Sequence, residues 1–195
     1  MIAGNERFII VMGMAHSGTT IFAKTLAQCP AFALCTHGRQ SWLLEHDAIL
    51  SRRTAQVAAL LKRHPKKRVL LKKPWCEKNG QWFFEQMPDA YYFCLLKSKE
   101  DSMKSWSKPG SYVNAEFRKN PELQSQQYDD FAKFATEFPC KNCTVIKYGR
   151  LAKHAPKVFQ EAAKFLGVDF EFDTSEIGVN KNVKRSLKKD KNAKN

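Results

Sequence analysis

Short apolar runs alternate along this chain with longer amphipathic ones. Five runs are short and rich in branched or aromatic residues: Phe8–Met12, Phe32–Thr36, Val69–Lys72, Tyr91–Leu96 and Thr144–Tyr148. Continuous apolar character of that length predicts strands buried on both faces, as in a parallel sheet. Between the runs the period becomes helical. Helices are predicted over Thr20–Gln28, over Ser51–His64 with Val57, Leu60, Leu61 and His64 on one stripe, and over Asn79–Gln86 carrying Trp82 and Phe83. Three more follow: Lys99–Ser107, Pro121–Glu137 with Leu123, Gln127, Phe131, Phe134 and Phe138 near one face, and Ala155–Leu166 with Gly167 as its stop. The aromatic stripes read as core rather than as a base-stacking platform. Five strands alternating with helices predict a three-layer α/β domain with a mostly parallel five-stranded sheet and right-handed crossovers.

Ligands of such sheets bind at the carboxyl ends of the strands, so candidate chemistry is sought there. The first strand is followed by Gly13-Met14-Ala15-His16-Ser17-Gly18-Thr19-Thr20 and then by a helix start. A strand, a glycine-bearing loop and a helix together present free backbone N–H groups to a phosphate. The spacing is G-x-x-x-x-G, but Thr19 stands where an ATPase or kinase loop has the lysine that reaches the β- and γ-phosphates. The loop is therefore expected to grip a nucleotide phosphate without cleaving it as an NTPase would. A plain Gly-Ser turn between strand and helix is the competing reading. After the fourth strand, Ser98 and Asp101 fit a helix capping box, which places Lys97 at the sheet edge and Ser105 two turns into the next helix.

Composition narrows the partner. The chain has 195 residues, 43% of them hydrophobic, which predicts one domain with a substantial core over 1–187 and a basic, disordered tail over 188–195. Lysine and arginine number 33 against 19 acids, a net charge of +14, which favours an anionic partner. No apolar stretch reaches the ~18–20 residues that span a bilayer, and Met1–Arg7 lacks a signal-peptide layout. A soluble, cytoplasmic protein without a membrane span is expected. Of six cysteines, Cys140 and Cys143 form a lone C-x-x-C with no second ligand pair, read as two loop thiols rather than a zinc or redox site.

With these motifs in place, the chain resembles the sulfotransferases. In that family the phosphate loop commonly reads R-S-G-T-T or R-S-G-T-S; here it is His16-Ser17-Gly18-Thr19-Thr20, with histidine for arginine. The resemblance implies a P-loop NTPase-like sulfotransferase fold and a cosubstrate, 3′-phosphoadenosine 5′-phosphosulfate (PAPS), whose 5′ end is bound by this loop. It further implies that Lys97 and Ser105, spaced as the family's arginine and serine, bind the 3′-phosphate. The lysine keeps the charge but loses the bidentate fork. The stretch Tyr148–Leu151 with Phe165-Leu166-Gly167 resembles the family's Y-E-D-L…F-L-G, which puts Tyr148 near the adenine; Gly149 and Arg150 replace the acidic pair. Lys184 and Arg185 resemble the late basic element over the 3′-phosphate.

For chemistry, the K-x-P of Lys72-Lys73-Pro74 resembles the family's K-x-P or K-x-H, whose lysine approaches the oxygen bridging phosphate and sulfur. A cation there stabilises charge on the leaving group. The register selects Lys72, and Lys73 is the alternative. Pro74 occupies the place of the histidine some members use, so the base comes from elsewhere: Glu45 first, then His37, with His16 a third candidate. The resemblance covers residues 7 to 187. It implies in-line transfer of a sulfuryl group to a hydroxyl or amine acceptor, with no metal and with PAP, adenosine 3′,5′-bisphosphate, as product. An anionic glycan, a peptide or a small hydroxyl compound would be the acceptor, and nucleic acid is not an obligate partner. Two alternatives remain open: a small kinase with a degenerate P-loop, and a basic non-enzymatic binder of nucleic acid or acidic polysaccharide.

Overall fold

Six consecutive buried residues, Phe8–Gly13, form β1 at the centre of the sheet. The computed structural model describes residues 3–34, 59–74, 83–108, 115–137 and 142–177. The other strands are β2 (Phe32–Leu34), β3 (Arg68–Pro74), β4 (Tyr91–Leu96) and β5 (Cys143–Lys147). Their order across the sheet is β2-β3-β1-β4-β5, and every pairing is parallel. The helices are α1 (Thr19–Leu26), α2 (Lys99–Trp106), α3 (Ala115–Lys119), α4 (Pro121–Glu137), α5 (Tyr148–Lys153) and α6 (Ala155–Leu166). Residues 59–63 and 83–86 are also helical.

Strand alternation divides the core into two layers. Ile9, Val11, Leu70, Phe93 and Leu95 face Phe22 and Leu26 of α1 and Val158, Phe159, Ala162 and Leu166 of α6. Phe8, Ile10, Met12, Val69, Leu71, Tyr92 and Cys94 face the other way, against Phe83, Trp106, Phe131 and Ala135. Full burial of each large apolar side chain contributes about 1.5–3 kcal/mol, and both faces of β1 are supplied with them. Buried Tyr92 keeps its hydroxyl satisfied by donating to the carbonyls of Met87 at 2.7 Å and Phe83 at 3.1 Å. The expected architecture is therefore present, with a sheet that is wholly rather than mostly parallel. Gly167 ends α6 in the left-handed conformation at φ 63°, with the N–H of Val168 bonded to Ala163 O at 3.0 Å.

Several expectations need correction. In α4 the inward residue is Gln124, not Gln127, which is exposed. The Gln124 side-chain amide donates to the carbonyls of Phe117 and Arg118, so a polar residue fills a core position by capping α3. A pattern that scores only apolar residues misses it. Cys143 is no loop thiol: it opens β5, and its Sγ lies 3.9 Å from that of Cys94. Contact with Cys94 holds the Cys143 thiol below its usual pKa. Tyr148 is not the end of a strand but the first residue of α5. Cys35, Thr36, residues 51–58 and 79–82, Phe138, Cys140 and the tail 188–195 lie outside the described residues.

Candidate functional site

Strand order decides where the site forms. The helix after β1 turns toward β2, whereas the helix after β4 serves the β5 side, so the two connections diverge above the adjacent carboxyl ends of β1 and β4. The Gly13–Thr20 loop occupies that crevice. Gly13 accepts no side chain, because a Cβ would stand 2.8 Å from the Leu95 carbonyl oxygen and 2.4 Å from Ser17 Oγ. Gly18 caps α1 at φ 87°, and a Cβ on it would meet the Tyr148 ring at 2.9 Å. His16 is the non-glycine residue with positive φ among the described residues, at 65°. Such a backbone costs about 1–2 kcal/mol for an L-residue and marks a loop shaped for something other than its own stability. The loop is braced from α2: buried Trp106 donates its indole N–H to Ala15 O at 2.8 Å. Ser17 Oγ is buried and has no hydrogen-bond partner, while the first N–H groups of α1 have no carbonyl within the helix to bond.

Beside the loop, Ser98 caps α2 as its sequence predicts: its Oγ accepts from the Asp101 N–H at 3.2 Å and donates to the Asp101 carboxylate at 2.8 Å. That tight turn brings the preceding residue over the helix. Lys97 Nζ donates to Ser105 Oγ at 2.6 Å and to the Asp101 carbonyl at 3.0 Å, and it lies 5.8 Å from the centre of the Tyr148 ring. Tyr128 of α4 pins the same residue by donating to the Lys97 carbonyl at 2.7 Å. Burial holds the Lys97 ammonium below the ordinary lysine pKa; Asp101 opposes the shift and Lys108 adds to it. Burial likewise lowers the His16 imidazole, with further lowering from Lys97 and Lys108. His16, Lys97 and Lys108 thus lie within electrostatic reach of one another. Beside the loop, an open recess of about 300 Å³ is lined by His16, Gly18, Thr19, Thr20, Ile21, Lys24 and Tyr148.

Sequence-predicted residues thus divide into two sets. His16, Ser17, Gly18, Thr19, Thr20, Lys97, Ser105 and Tyr148 are brought together at the crevice. Lys72 is on β3 opposite Val11, and Lys73 and Pro74 are opposite Met12 and Gly13, so the K-x-P segment runs alongside the start of the loop. Glu45, His37, Lys184 and Arg185 lie outside the described residues. Arg150, where the resemblance has an acid, pairs with Glu161 at 2.5 Å and ties α5 to α6 on the surface. Trp106, Lys108, Tyr128 and Lys24 escaped the sequence reading. Their spacing carries no motif; α1, α4, and α2 with the residues after it, deliver them only once packed.

Two solved structures decide the fold. A sulfotransferase from Alicyclobacillus acidocaldarius superimposes with a TM-score of 0.60 at 16% identity, covering 86% of this chain and 84% of that one. Mouse sulfotransferase SULT7A1, complexed with PAP, gives 0.61 at 17% identity, over 90% of this chain and 63% of that one. The fold is that of the sulfotransferases. A sugar kinase from Janibacter is also similar, with a TM-score of 0.51 at 15% identity over 83% of this chain and 95% of that one. At these identities the likeness is one of fold. No family model matches the chain, and no curated protein matches it by sequence. Among the described residues, no helix is long and apolar enough to cross a membrane.

Proposed function

We propose that this protein is a sulfotransferase that uses PAPS and transfers its sulfuryl group to a hydroxyl or amine acceptor. The observation that carries the reading is the meeting of Lys97 Nζ with Ser105 Oγ at 2.6 Å, against Tyr148 and beside the phosphate-type loop. A serine oxygen that accepts from an ammonium still has its own proton to donate, so the pair offers two donors to one phosphate. The residues present fit the nucleotide. Ser17 Oγ is a buried hydroxyl awaiting an acceptor, and Gly18 leaves the Tyr148 ring in contact with the loop. Bound PAPS would supply the sulfuryl group on its 5′-phosphate.

Each residue has a distinct task in this reading. The first N–H groups of α1, with His16, Ser17, Gly18, Thr19 and Thr20, hold the 5′-phosphate and sulfuryl end at the positive end of the helix dipole. Lys97 and Ser105 hold the 3′-phosphate, with Lys184 and Arg185 added to it, and Tyr148 flanks the adenine. Lys72 places a cation at the leaving-group oxygen, where it acts most strongly as charge develops. Glu45 or His37 takes the acceptor proton. The acceptor is an anionic glycan, a peptide or a small hydroxyl compound, in keeping with the net charge of +14.

A second reading, phosphoryl transfer from ATP, draws on the similarity to a sugar kinase. Thr19 in place of the P-loop lysine weighs against it. Scanning fluorimetry separates the two. PAP at ~100 times its dissociation constant should stabilise the protein by about 2.7 kcal/mol, with a smaller shift from ATP at equal concentration. A shift with ATP and none with PAP sinks the sulfotransferase reading.

A further inference from the structure

His16 stands where the family pattern has arginine, and its surroundings give the departure a consequence. The Trp106–Ala15 hydrogen bond fastens the end of α2 to the residue before His16, and Lys108 follows Trp106 by two positions. From the end of β4, Lys97 reaches the ring of Tyr148, which lines the same recess as His16. Asp101, which opposes the shift of Lys97, has its carboxylate engaged by Ser98 Oγ and presents its backbone carbonyl to Lys97. Lys24 of α1 and Tyr148 of α5 line the recess that His16 shares. Gathering like charges around a strained loop residue is unfavourable in the empty protein and becomes favourable when an anion enters.

Resting on the nucleotide reading above, we propose that His16, beside Lys97 and Lys108, becomes charged as the nucleotide binds, so that the protein takes up a proton with its ligand. The physics is a sign argument. In the empty protein, burial and the two lysines hold the imidazole below its ordinary value of 6.5, so it is mostly neutral at pH 7. A phosphate beside it reverses the local field and raises that value. Between the free and the bound values binding takes up protons, and affinity falls with rising pH by up to about tenfold per unit for a full proton. An arginine at this position has no such dependence. Geometry brings Lys108 in as well: the Trp106–Ala15 bond holds the end of α2, two residues before Lys108, against the residue that precedes His16.

Calorimetry of PAP binding in buffers of different ionisation enthalpy counts the protons. The ligand's own phosphate titrates near pH 6, so the informative quantity is the difference between wild type and His16→Arg. Wild type should take up as much as one proton more at pH 7, and its affinity relative to His16→Arg should fall between pH 6 and 8. In parallel, the ring resonance of His16, one of five histidines, should titrate at higher pH with PAP present. In ligand-free Lys108→Gln its midpoint should also rise. PAP binding with equal proton counts, or with an unmoved ring midpoint, overturns this inference and leaves the sulfotransferase reading standing. A midpoint unchanged by Lys108→Gln overturns the part assigned to Lys108. Failure of wild type to bind PAP overturns both.

Discussion

Ser105→Ala tests the 3′-phosphate assignment with little risk to the fold. Ser105 sits half-buried late in α2, where alanine is the better helix former by about 0.5 kcal/mol. Lys97 loses its 2.6 Å acceptor but keeps the Asp101 carbonyl at 3.0 Å, so the ammonium stays near its place. Stability should change by less than about 1 kcal/mol. Binding should change more. A hydroxyl donating to a phosphate is a hydrogen bond to a charged group, worth about 1.5–3 kcal/mol, or roughly ten- to hundredfold in affinity. Lys97 is partly exposed, so its own share is screened and the lower half of that range is expected. Calorimetry with PAP and with 5′-AMP at one ionic strength isolates the effect, because the two ligands differ by the 3′-phosphate alone. PAP affinity should fall at least tenfold, and 5′-AMP affinity less than threefold. Equal losses for both ligands would refute the assignment, as would an unchanged affinity for PAP.

Two further outcomes follow from the loop and its neighbouring strand. Lys72→Ala should slow single-turnover sulfuryl transfer by about 10²–10³-fold, as loss of one oxyanion donor does, with a much smaller change in PAP affinity. Lys73→Ala, at the alternate position of β3, should stay near wild type; the reverse result shifts the register by one residue. Gly18→Ala should cost about 1–2 kcal/mol from its φ of 87° alone, plus a clash with the Tyr148 ring at 2.9 Å. Urea unfolding in a Tyr148→Ala background should recover the clash portion, a coupling of about 0.5–3 kcal/mol. Strict additivity of the two substitutions would place the ring away from the loop.

Local chemistry is legible wherever it depends on neighbours in sequence. The strand of Phe8–Met12, the loop that follows it and the Ser98 cap were readable because pleat, turn and capping box span only a few residues. The glycine stop of α6 and the parallel sheet belong with them. The eight-residue spacing of Lys97 and Ser105 also carried over, since a strand end and two helical turns have fixed geometry.

Tertiary structure decided the rest. A polar Gln124 could be a core residue only once α3 offered its carbonyls. Cys94 and Cys143 became neighbours because β4 and β5 pair, 49 residues apart along the chain. Tyr148 meets Gly18 for the same reason: β5 delivers it to the sheet edge that β1 and β4 already occupy. Most consequentially, Trp106 reaches across 91 residues to hold the loop by one hydrogen bond, bringing the end of α2, and Lys108 with it, to His16. Periodicity reports which way each side chain faces within its own element. Which charges share a crevice is set by the order in which strands join the sheet, a property of long-range pairing that no local pattern encodes.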